Sequence, residues 1–516
     1  MRRTPLYRLA KIIGIALIAG FLTNCNTSTT STPTNPGTGT LIAIVQDVPV
    51  CNAISADVVV QNISFTQTQT GETTGFMTTT PSFAPEIRLN LPQLRDFSTV
   101  LYEFPVKAGS YDQMNLNFEL GQIVAYDPTL IPPVNSFTTT FTNQKPTISI
   151  SPPLVITPGQ ANVMVLDWDY LRMLGTTSSG NITGKMTAAV SVTQLYSTSP
   201  TGAVNPNGFG ELDDLWGFVR SISNTNATSN ASYIGSFSMQ VLSPSVADAP
   251  NLPINLTTTT NKIGFSDLAH LLPNNYVEVD AILDSQGNLA AKTVEVQALE
   301  NPFPTQSGVT PSTALIGPIV SIKTDPAGNP LQLGLWVRDA EPDDIGTLLM
   351  DQIYTVDLTV NPTYQTSIMG PNFANLTFGP QNLAVGEEIV VHGAYTKPPS
   401  LTSTVIPFSV EPTAIYLKLQ SMQGTMQSML TVGSDDATGV FSLLPCCSLL
   451  QGVPLYVVTN NQTAFVNVTG LGAITTLNNL VVKGMPYYEP QAVTINGVTI
   501  PAGTMVFQAK QVHVIP

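Results

Sequence analysis

One short pattern occurs three times after residue 210: a glycine, an apolar residue two positions later, a serine two positions after that, and a further apolar residue. The copies lie at 217–222, 317–322 and, in a weaker form, 424–429. Each copy is followed, in the same order, by a strand-like run before a turn and by a closing strand-like run. Repeated units bury their apolar faces in a similar way. The pattern therefore predicts three domains of one type.

Within each unit, apolar and polar residues alternate over short runs, which is typical of half-buried β-strands. About five or six such runs fit in one unit, and a set of that size can remove its exposed edges by closing into a small barrel. In the alignment of the units, His392 falls at the position of Asp280 and Lys483, so this position has no shared need for an imidazole. The predicted β-barrel-like repeats are 211–300, 312–420 and 421–516.

The composition also favours an all-β chain. Only 10% of the residues are charged, whereas about one quarter is usual. Helix surfaces are normally covered by Lys, Glu and Arg, so this composition disfavours helices.

The repeats resemble an uncharacterised bacterial family of small β-barrel-like repeats found in envelope proteins, and the first two copies resemble it more than the third.

The segment at 41–200 contains short runs rich in β-branched residues, separated by Gly and Pro clusters. Clear examples are 41–46, 57–65 and 113–120. Strands at this spacing, without a convincing amphipathic helix between them, indicate an antiparallel β-sandwich. The fold class predicted for the whole chain is therefore all-β, with an N-terminal antiparallel sandwich followed by the three barrel-like repeats.

Three short motifs in this segment resemble an uncharacterised family of bacterial domains of unknown function that commonly follow lipoprotein signals. They are Asp47-Val48-Pro49 after the opening strand, the Ala-Gly-x-Tyr turn within 106–112, and the Val-Leu-Asp-Trp-Asp run at 165–169. The resemblance covers about 155 residues of the segment. It implies a β-rich fold and an envelope location, and it implies no chemistry.

The first 24 residues have the features of a secretory signal peptide. Residues 1–11 are basic, and the apolar run at 12–22 is too short to span a bilayer comfortably. The following Leu22-Thr23-Asn24-Cys25 resembles the lipobox of bacterial lipoproteins, which implies that Cys25 becomes the lipidated first residue. Asn24 departs from the motif, which normally has Gly, Ala or Ser there. The alternative is an ordinary secreted protein cleaved nearby.

The segment at 25–40 is predicted to be a flexible tether. After Cys25 it contains no apolar side chain larger than the methyl group of Thr, so it cannot bury enough surface to fold. A tether of this length has a root-mean-square reach of roughly 20 Å. A lipidated cysteine followed by a tether predicts attachment to a membrane through a lipid anchor.

Charge and cysteine content exclude further classes of function. The formal net charge of −15 argues against binding nucleic acid and against electrostatic docking on anionic lipid.

Three cysteines remain after Cys25, at Cys51, Cys446 and Cys447. A disulfide from Cys51 to either of the other two is one interpretation, but the spacing does not support it. The simpler interpretation is that the adjacent pair is small and apolar.

Trp336 is the aromatic residue that most invites a functional interpretation. In the run at 330–339, Leu333 and Leu335 alternate with Gly334 and Trp336, so the tryptophan falls on the more polar face of a predicted strand. It could stack on a sugar ring, pack against a neighbouring repeat, or be exposed without a partner. Tyr487 and Tyr488 are weaker candidates for ligand stacking.

The sequence contains no motif for a metal, a cofactor or a catalytic nucleophile. It has no zinc-ligand spacing, no phosphate-binding loop and no Gly-x-Ser-x-Gly elbow. The three histidines are interpreted as surface or edge residues. Adjacent carboxylates occur in predicted turns, where Asp is common. The densest acidic loop, a weak candidate for a calcium site and by default a solvated loop, contains Asp339, Glu341, Asp343 and Asp344.

These observations predict a non-enzymatic, exported lipoprotein of the bacterial cell envelope, facing either the periplasm or the cell surface. It would act as a structural or interaction protein that is displayed from its anchor, and it needs no cofactor. One alternative is a polysaccharide-binding lipoprotein that uses Trp336. Another is a hydrolase with an unrecognised site, which requires two carboxylates, or a serine and a histidine, to converge in one cleft. The expected partners are an envelope protein or a polysaccharide.

Overall fold

Short alternating runs become β-strands throughout the computed structural model. It describes residues 37–47, 53–67, 70–75, 87–90, 99–119, 122–127, 129–138, 140–158, 161–168, 173–176, 182–195, 211–223, 233–241, 251–284, 288–296, 314–341, 352–366, 378–396, 409–445, 455–476 and 478–515. The all-β prediction is confirmed. Within these ranges no helix has the length and apolar character that crossing a membrane requires. Residues 38–516 form one compact unit.

The N-terminal domain is a sandwich of two main sheets. The first has the strand order β14-β11-β1-β5 and the second β10-β6-β2-β7-β8, with β3 and β4 paired to β2; a small sheet, β12-β13-β9, completes it. Its core includes Phe65, Phe118 and Trp168. The strands are β1 Thr38–Asp47, β2 Ala53–Gln67, β3 Thr73–Gly75, β4 Ile87–Asn90, β5 Thr99–Lys107, β6 Gly109–Glu119, β7 Gln122–Tyr126, β8 Val134–Thr138, β9 Thr140–Phe141, β10 Thr147–Ile156, β11 Ala161–Trp168, β12 Leu174–Thr176, β13 Ile182–Met186 and β14 Val190–Leu195.

The prediction that this sandwich is antiparallel is wrong for a central pair of strands, because β1 and β11 run parallel. Both faces of this pair are buried. Leu41 and Ala43 point into the sandwich core, whereas Ile42 and Ile44 belong to a second apolar cluster that includes the core of the first repeat. Strands buried on both faces are continuously apolar, which is typical of parallel pairs.

The predicted tether at 25–40 extends too far along the chain, because β1 begins at Thr38. Residues 38–40 lack large apolar side chains, but backbone pairing with β5 and β11 holds them in the sheet. A side chain at Gly39 would place its Cβ 2.4 Å from the carbonyl oxygen of Thr157. The absence of a side chain therefore permits this strand. The predicted signal peptide, Cys25 and the remainder of the tether lie outside the described residues.

The three repeats share one strand topology. In each repeat, the first strand pairs with the second strand and with the long strand that comes directly before or nearly directly before the closing strand. The third strand and the short strand that follows it both pair parallel to the closing strand. These pairings close a five-stranded barrel with the strand order of an OB-fold. Repeat 1 contains β15 Glu211–Ser223, β16 Tyr233–Val241, β17 Asn251–Thr257, β18 Asn261–Ile263, β19 Tyr276–Leu283 and β20 Leu289–Val296.

Repeats 2 and 3 add small elements to this plan. Repeat 2 contains β21 Ala314–Thr324, β22 Pro330–Val337, β23 Asp339–Glu341, β24 Gln352–Asp357, β25 Thr363–Thr366, β26 Glu388–Thr396 and β27 Ser409–Leu417. Repeat 3 contains β28 Gln420–Val432, β29 Gly439–Pro445, β30 Leu455–Thr459, β31 Ala464–Val466, β32 Asn479–Glu489, β33 Val493–Ile495, β34 Val498–Ile500 and β35 Thr504–Ile515. Single 3₁₀ turns occur at Leu358–Val360, Pro380–Asn382 and Leu471–Ala473.

The register of the barrels agrees with the alignment made from sequence. Asp280, His392 and Lys483 each precede a β-bulge at the same point of the strand pair that ends the repeat. The serine of the repeated pattern, for example Ser221 and Ser321, directly follows another bulge in the first strand. Bulges bend and twist strands. The repeated pattern therefore marks the points at which the sheet curves to close.

The glycine that begins each pattern allows two strands to approach closely. A Cβ on Gly317 would lie 1.8 Å from the carbonyl oxygen of Trp336. We expect Gly317→Ala to lower the free energy of unfolding by about 1–3 kcal/mol, as overpacking does. Gly379→Ala is the control, since its Cβ would meet its nearest atom, Oδ1 of Asn382, at 3.8 Å. Urea denaturation of both variants tests this, and equal stability of the two would contradict it.

Candidate functional site

Charged side chains are buried where repeats 1 and 3 meet. Oε1 of Glu278, on β19, lies 3.3 Å from Nζ of Lys483 on β32 and 3.0 Å from Nζ of Lys510 on β35. The side chains are 2%, 4% and 23% exposed, respectively. We call these three residues the Glu278 clasp. The clasp joins the first repeat directly to the last, so the repeats are not arranged as a simple line.

The repeat alignment explains how one barrel plan produces this asymmetric contact. Glu278 occupies the strand position that Val390 and Val481 occupy in the other repeats. A lone carboxylate at a position that is otherwise apolar was a signal present in the sequence. Lys483 can be aligned correctly from the sequence, but its partner cannot be identified there, because alternation along a strand does not specify which residues face it from another domain.

Two further cationic side chains, one within repeat 2 and one directly after it, are buried. Nη2 of Arg338 donates a 2.6 Å hydrogen bond to Oε2 of Glu388, and both side chains are almost fully buried. Lys418, between repeats 2 and 3, places its Nζ 5.2 Å from the ring centroid of Trp216 in repeat 1. Charges removed from water are tolerated when they are paired in this way. Because of these contacts, the charged groups of Arg338 and Lys418 do not face solvent, where they could bind a ligand.

Repeats 2 and 3 meet through apolar residues and one buried carboxyl group. Val356 of repeat 2 and Val458 of repeat 3 belong to the same core cluster. Oε2 of Glu387 accepts a 2.8 Å hydrogen bond from the backbone amide of Ala384, and the backbone amide of Tyr488 is a second donor. Burial nevertheless raises the pKa of Glu387 well above its usual range. This carboxyl group is therefore protonated over a wider pH range than an exposed one.

A pH-dependent contribution to stability follows from Glu387. Because its pKa is raised by folding, the contribution is fully present below the unfolded pKa and is lost as the pH rises toward the folded pKa. We expect Glu387→Gln to match the wild type at about pH 4 and to be the more stable of the two at about pH 8. Urea denaturation at both pH values measures this, with Glu411→Gln on an exposed site as control. A constant difference would contradict it.

Trp336 does not offer an exposed platform for a sugar. Its side chain is only 5% exposed and clusters with Ile54 and Val124 of the N-terminal domain and with Val320. The stacking prediction at Trp336 is therefore wrong. The predicted strand face of Trp336 is correct, since Trp336 points away from the barrel core that contains Leu335. This outer face looked polar in the sequence, but the N-terminal domain covers it. Packing against a neighbour was the better alternative, although the neighbour is the sandwich and not a repeat.

The other residues singled out from sequence do not assemble into a ligand site. Tyr488 is partly buried against the core of repeat 3, and its backbone oxygen accepts a 2.9 Å hydrogen bond from Nδ2 of Asn382. Tyr487 lies in β32 opposite Val506; its side chain is outside the described part of the structure. Cys51, Cys446 and Cys447 also lie outside it.

The acidic loop proposed as a weak calcium site begins as a strand. Asp339 and Glu341 lie in β23, where they pair with Ile316 and Ala314 of β21. Pairing with an already curved barrel strand extends the sheet into a segment that was expected to be a loop. Asp343 and Asp344 are not among the described residues. Within the ranges the structure describes, no group of three or more His, Cys, Asp and Glu side chains is placed to hold a metal ion.

The adjacent carboxylates were also expected to lie in turns, and two pairs do not. Asp213 and Asp214 lie inside β15, at a bulge between Leu212 and Leu215. Glu387 and Glu388 are buried at the start of β26. The backbone bulge places Asp213 and Asp214 within β15, and Glu388 pairs with the buried Arg338 of the same repeat. Glu387 and Glu388 are buried, so they cannot flank a substrate in an open cleft.

The histidines give no catalytic arrangement in the described structure. Oγ of Ser266 and Oδ1 of Asp267 both approach Nδ1 of His270, at 3.0 and 2.8 Å. A serine nucleophile and its supporting carboxylate must contact opposite ring nitrogens, so this exposed cluster is not a catalytic triad. His392 is 6% exposed and lies edge-on to Tyr416, which corrects the prediction of a surface histidine. Burial lowers the pKa of His392 to about 4.

The N-terminal sandwich can be compared with known families. Residues 38–184 match the family model of a domain of unknown function, DUF4382. The resemblance of this segment to a family of unknown function is thus confirmed. No curated protein matches the chain. A solved structure titled drosophila Unr CSD456 has 8% identity and a TM-score of 0.14, covering 59% of this chain and 97% of that chain. Such a low TM-score supports no conclusion.

Proposed function

We propose that this protein is a non-enzymatic interaction protein of the bacterial cell envelope. In this proposal the sandwich and the three barrels pack together and present one continuous binding surface. The observation that carries the proposal is the Glu278 clasp, which joins the first repeat to the last through buried charges. Trp336, Glu387 and His392 are likewise buried in contacts. The side chains of Glu278, Trp336 and Glu387 lie at contacts between domains, which favours a rigid binding surface over a reactive cleft.

The proposed location depends on the N-terminal segment. A signal peptide, Cys25 in a lipobox-like sequence and a polar tether ending where β1 begins at Thr38 support an exported body attached to a membrane. Expression in bacteria with radiolabelled palmitate tests the anchor. Label on the wild type and none on Cys25→Ser, with the variant recovered in the soluble envelope fraction, is the expected result. Equal labelling of the two proteins would contradict it.

The proposed interaction role is tested with the intact chain incubated with solubilised envelope proteins. We expect the wild type to retain a defined partner in a saturable manner, and Glu278→Gln to lose it because the composite surface is no longer held together. A control, Glu72→Gln, alters an exposed ion pair with Lys107 and should retain the partner. Turnover of glycoside, ester or peptide substrates by the wild type would contradict the non-enzymatic part of the proposal.

Polysaccharide binding remains the second candidate, on the strength of the Asn-, Thr- and Gln-rich composition. Burial of Trp336 removes its best aromatic candidate. A screen of the intact chain against envelope polysaccharides separates the two functions. Saturable binding to a glycan, unaffected by Glu278→Gln, would favour this candidate over the protein-interaction role.

A further inference from the structure

Each repeat has one outward face at the bulge of its first strand, and equivalent residues on it can be identified from the backbone. The glycines Gly217, Gly317 and Gly424 lie beneath the carbonyl oxygens of residues 240, 336 and 444, respectively. Gln240, Trp336 and Leu444 therefore occupy the same position on the second strand. We call this region the bulge face, and its members on the first, second and third strands differ sharply between repeats.

In repeat 2 the bulge face is apolar and covered. Val320 occupies the bulge, Trp336 lies on the second strand and Ile353 pairs with it from the third. These residues cluster with Ile54 and Val124 of the N-terminal domain, and Tyr126 and Val134 pack around them. Val320 is fully buried and Trp336 is 5% exposed. The partner that fits this face is thus an aliphatic patch on another β-sheet.

In repeat 1 the same face is polar and open. Arg220 occupies the bulge, Gln240 the second strand and Asn251 the third. Nε of Arg220 donates to Oε1 of Gln240 at 2.5 Å, and its Nη1 donates to Oδ1 of Asn274 at 2.7 Å. An aliphatic patch placed on this face would desolvate a guanidinium group without offering it a new acceptor, which is costly.

We propose that the bulge face is the docking surface of the repeat unit for a second β-domain, and that its three residues decide whether it is used. In repeat 2, the aliphatic patch of the N-terminal domain packs against Val320, Trp336 and Ile353. In repeat 1, the polar side chains of Arg220, Gln240 and Asn251 prevent the same packing. Repeat 3 has an intermediate face with an exposed Gln427 and with Leu444, which is 55% exposed. The residues at three positions of the same barrel fold therefore determine whether another β-domain packs on this face.

The proposal is tested by moving the polar residues to repeat 2 of the full chain, as V320R/W336Q/I353N. Hydrogen exchange should accelerate at least tenfold at the backbone amides of residues 53–56 and 122–126, while Leu333 and Val391 inside the repeat 2 barrel stay protected. The control variant R220A/Q240A/N251A should leave residues 53–56 and 122–126 unchanged. Unchanged exchange in the repeat 2 variant would overturn the proposal.

A second variant covers the case in which the triple substitution unfolds repeat 2. Ile54→Asp alters only the N-terminal side of the contact. We expect hydroxyl-radical oxidation of Trp336 to rise several-fold in Ile54→Asp, with no rise at Trp168 in the sandwich core. An oxidation rate at Trp336 equal to that of the wild type would overturn the proposal, as would equal rises at Trp336 and Trp168, because Ile54 would then not shield Trp336 selectively.

Discussion

Replacing Glu278 by glutamine should lower the free energy of unfolding by about 3–5 kcal/mol, the usual effect of removing one partner of a buried ion pair. The substitution keeps the shape of the side chain but leaves Lys483 with its charge, only 4% exposed, and without the carboxylate that lies 3.3 Å away. Lys510 loses the same partner at 3.0 Å. Urea denaturation of the full chain measures the effect.

Two matched variants make this test specific. Glu72→Gln removes one partner of an exposed pair with Lys107, at 2.9 Å and 54% exposed for Glu72, and should change stability by about 1 kcal/mol or less. The triple variant E278M/K483M/K510M replaces the clasp by apolar side chains and should recover most of the loss. A loss in Glu278→Gln no greater than that in Glu72→Gln would contradict a buried clasp.

Replacing Trp336 by alanine should have an effect of similar size, about 3–5 kcal/mol, because a large buried side chain is removed from a packed cluster. The indole nitrogen makes no hydrogen bond with the described residues, so the loss comes from packing. Trp336→Phe should therefore retain much of the stability. Denaturation followed by a probe in the N-terminal domain would report the loss, since the cluster includes Ile54 and Val124.

Leu444→Ala is the matched control for Trp336, since Leu444 occupies the same position in repeat 3 and is 55% exposed. Its removal should change stability by no more than about 0.5 kcal/mol. The two variants thus compare one strand position in a covered and in an open environment. If both caused the same small change, the cover provided by the N-terminal domain would be refuted.

Local features of the fold could be predicted from the sequence because they depend on neighbouring residues. The alternation of side chains gave the strands, and the repeated glycine and serine marked the close approach and the bulge that curve each barrel. The alignment of Asp280, His392 and Lys483 agrees with the strand register at each residue. These features recur in every copy, so comparing the copies revealed them.

The contacts between domains could not be predicted, because nothing in a strand's alternation specifies what covers its outer face. Trp336 lies on a face with Gln332 and Gly334, which looks polar in the sequence, yet the N-terminal domain buries it. Glu278 and Lys510 are 232 residues apart in the sequence and pair across two separate barrels. The parallel pair β1–β11 has the same origin, since its second buried face exists only in contact with repeat 1.

A measurement of the distance between repeats 1 and 3 tests most directly whether the Glu278 clasp holds them against each other. Spin labels at exposed positions Thr259 of repeat 1 and Gln462 of repeat 3, in a chain whose native cysteines are replaced by serine, allow double electron–electron resonance. We predict a single narrow distance distribution that broadens in Glu278→Gln. A broad distribution in the otherwise unchanged chain would mean that the repeats move independently and that the Glu278 clasp does not hold them together.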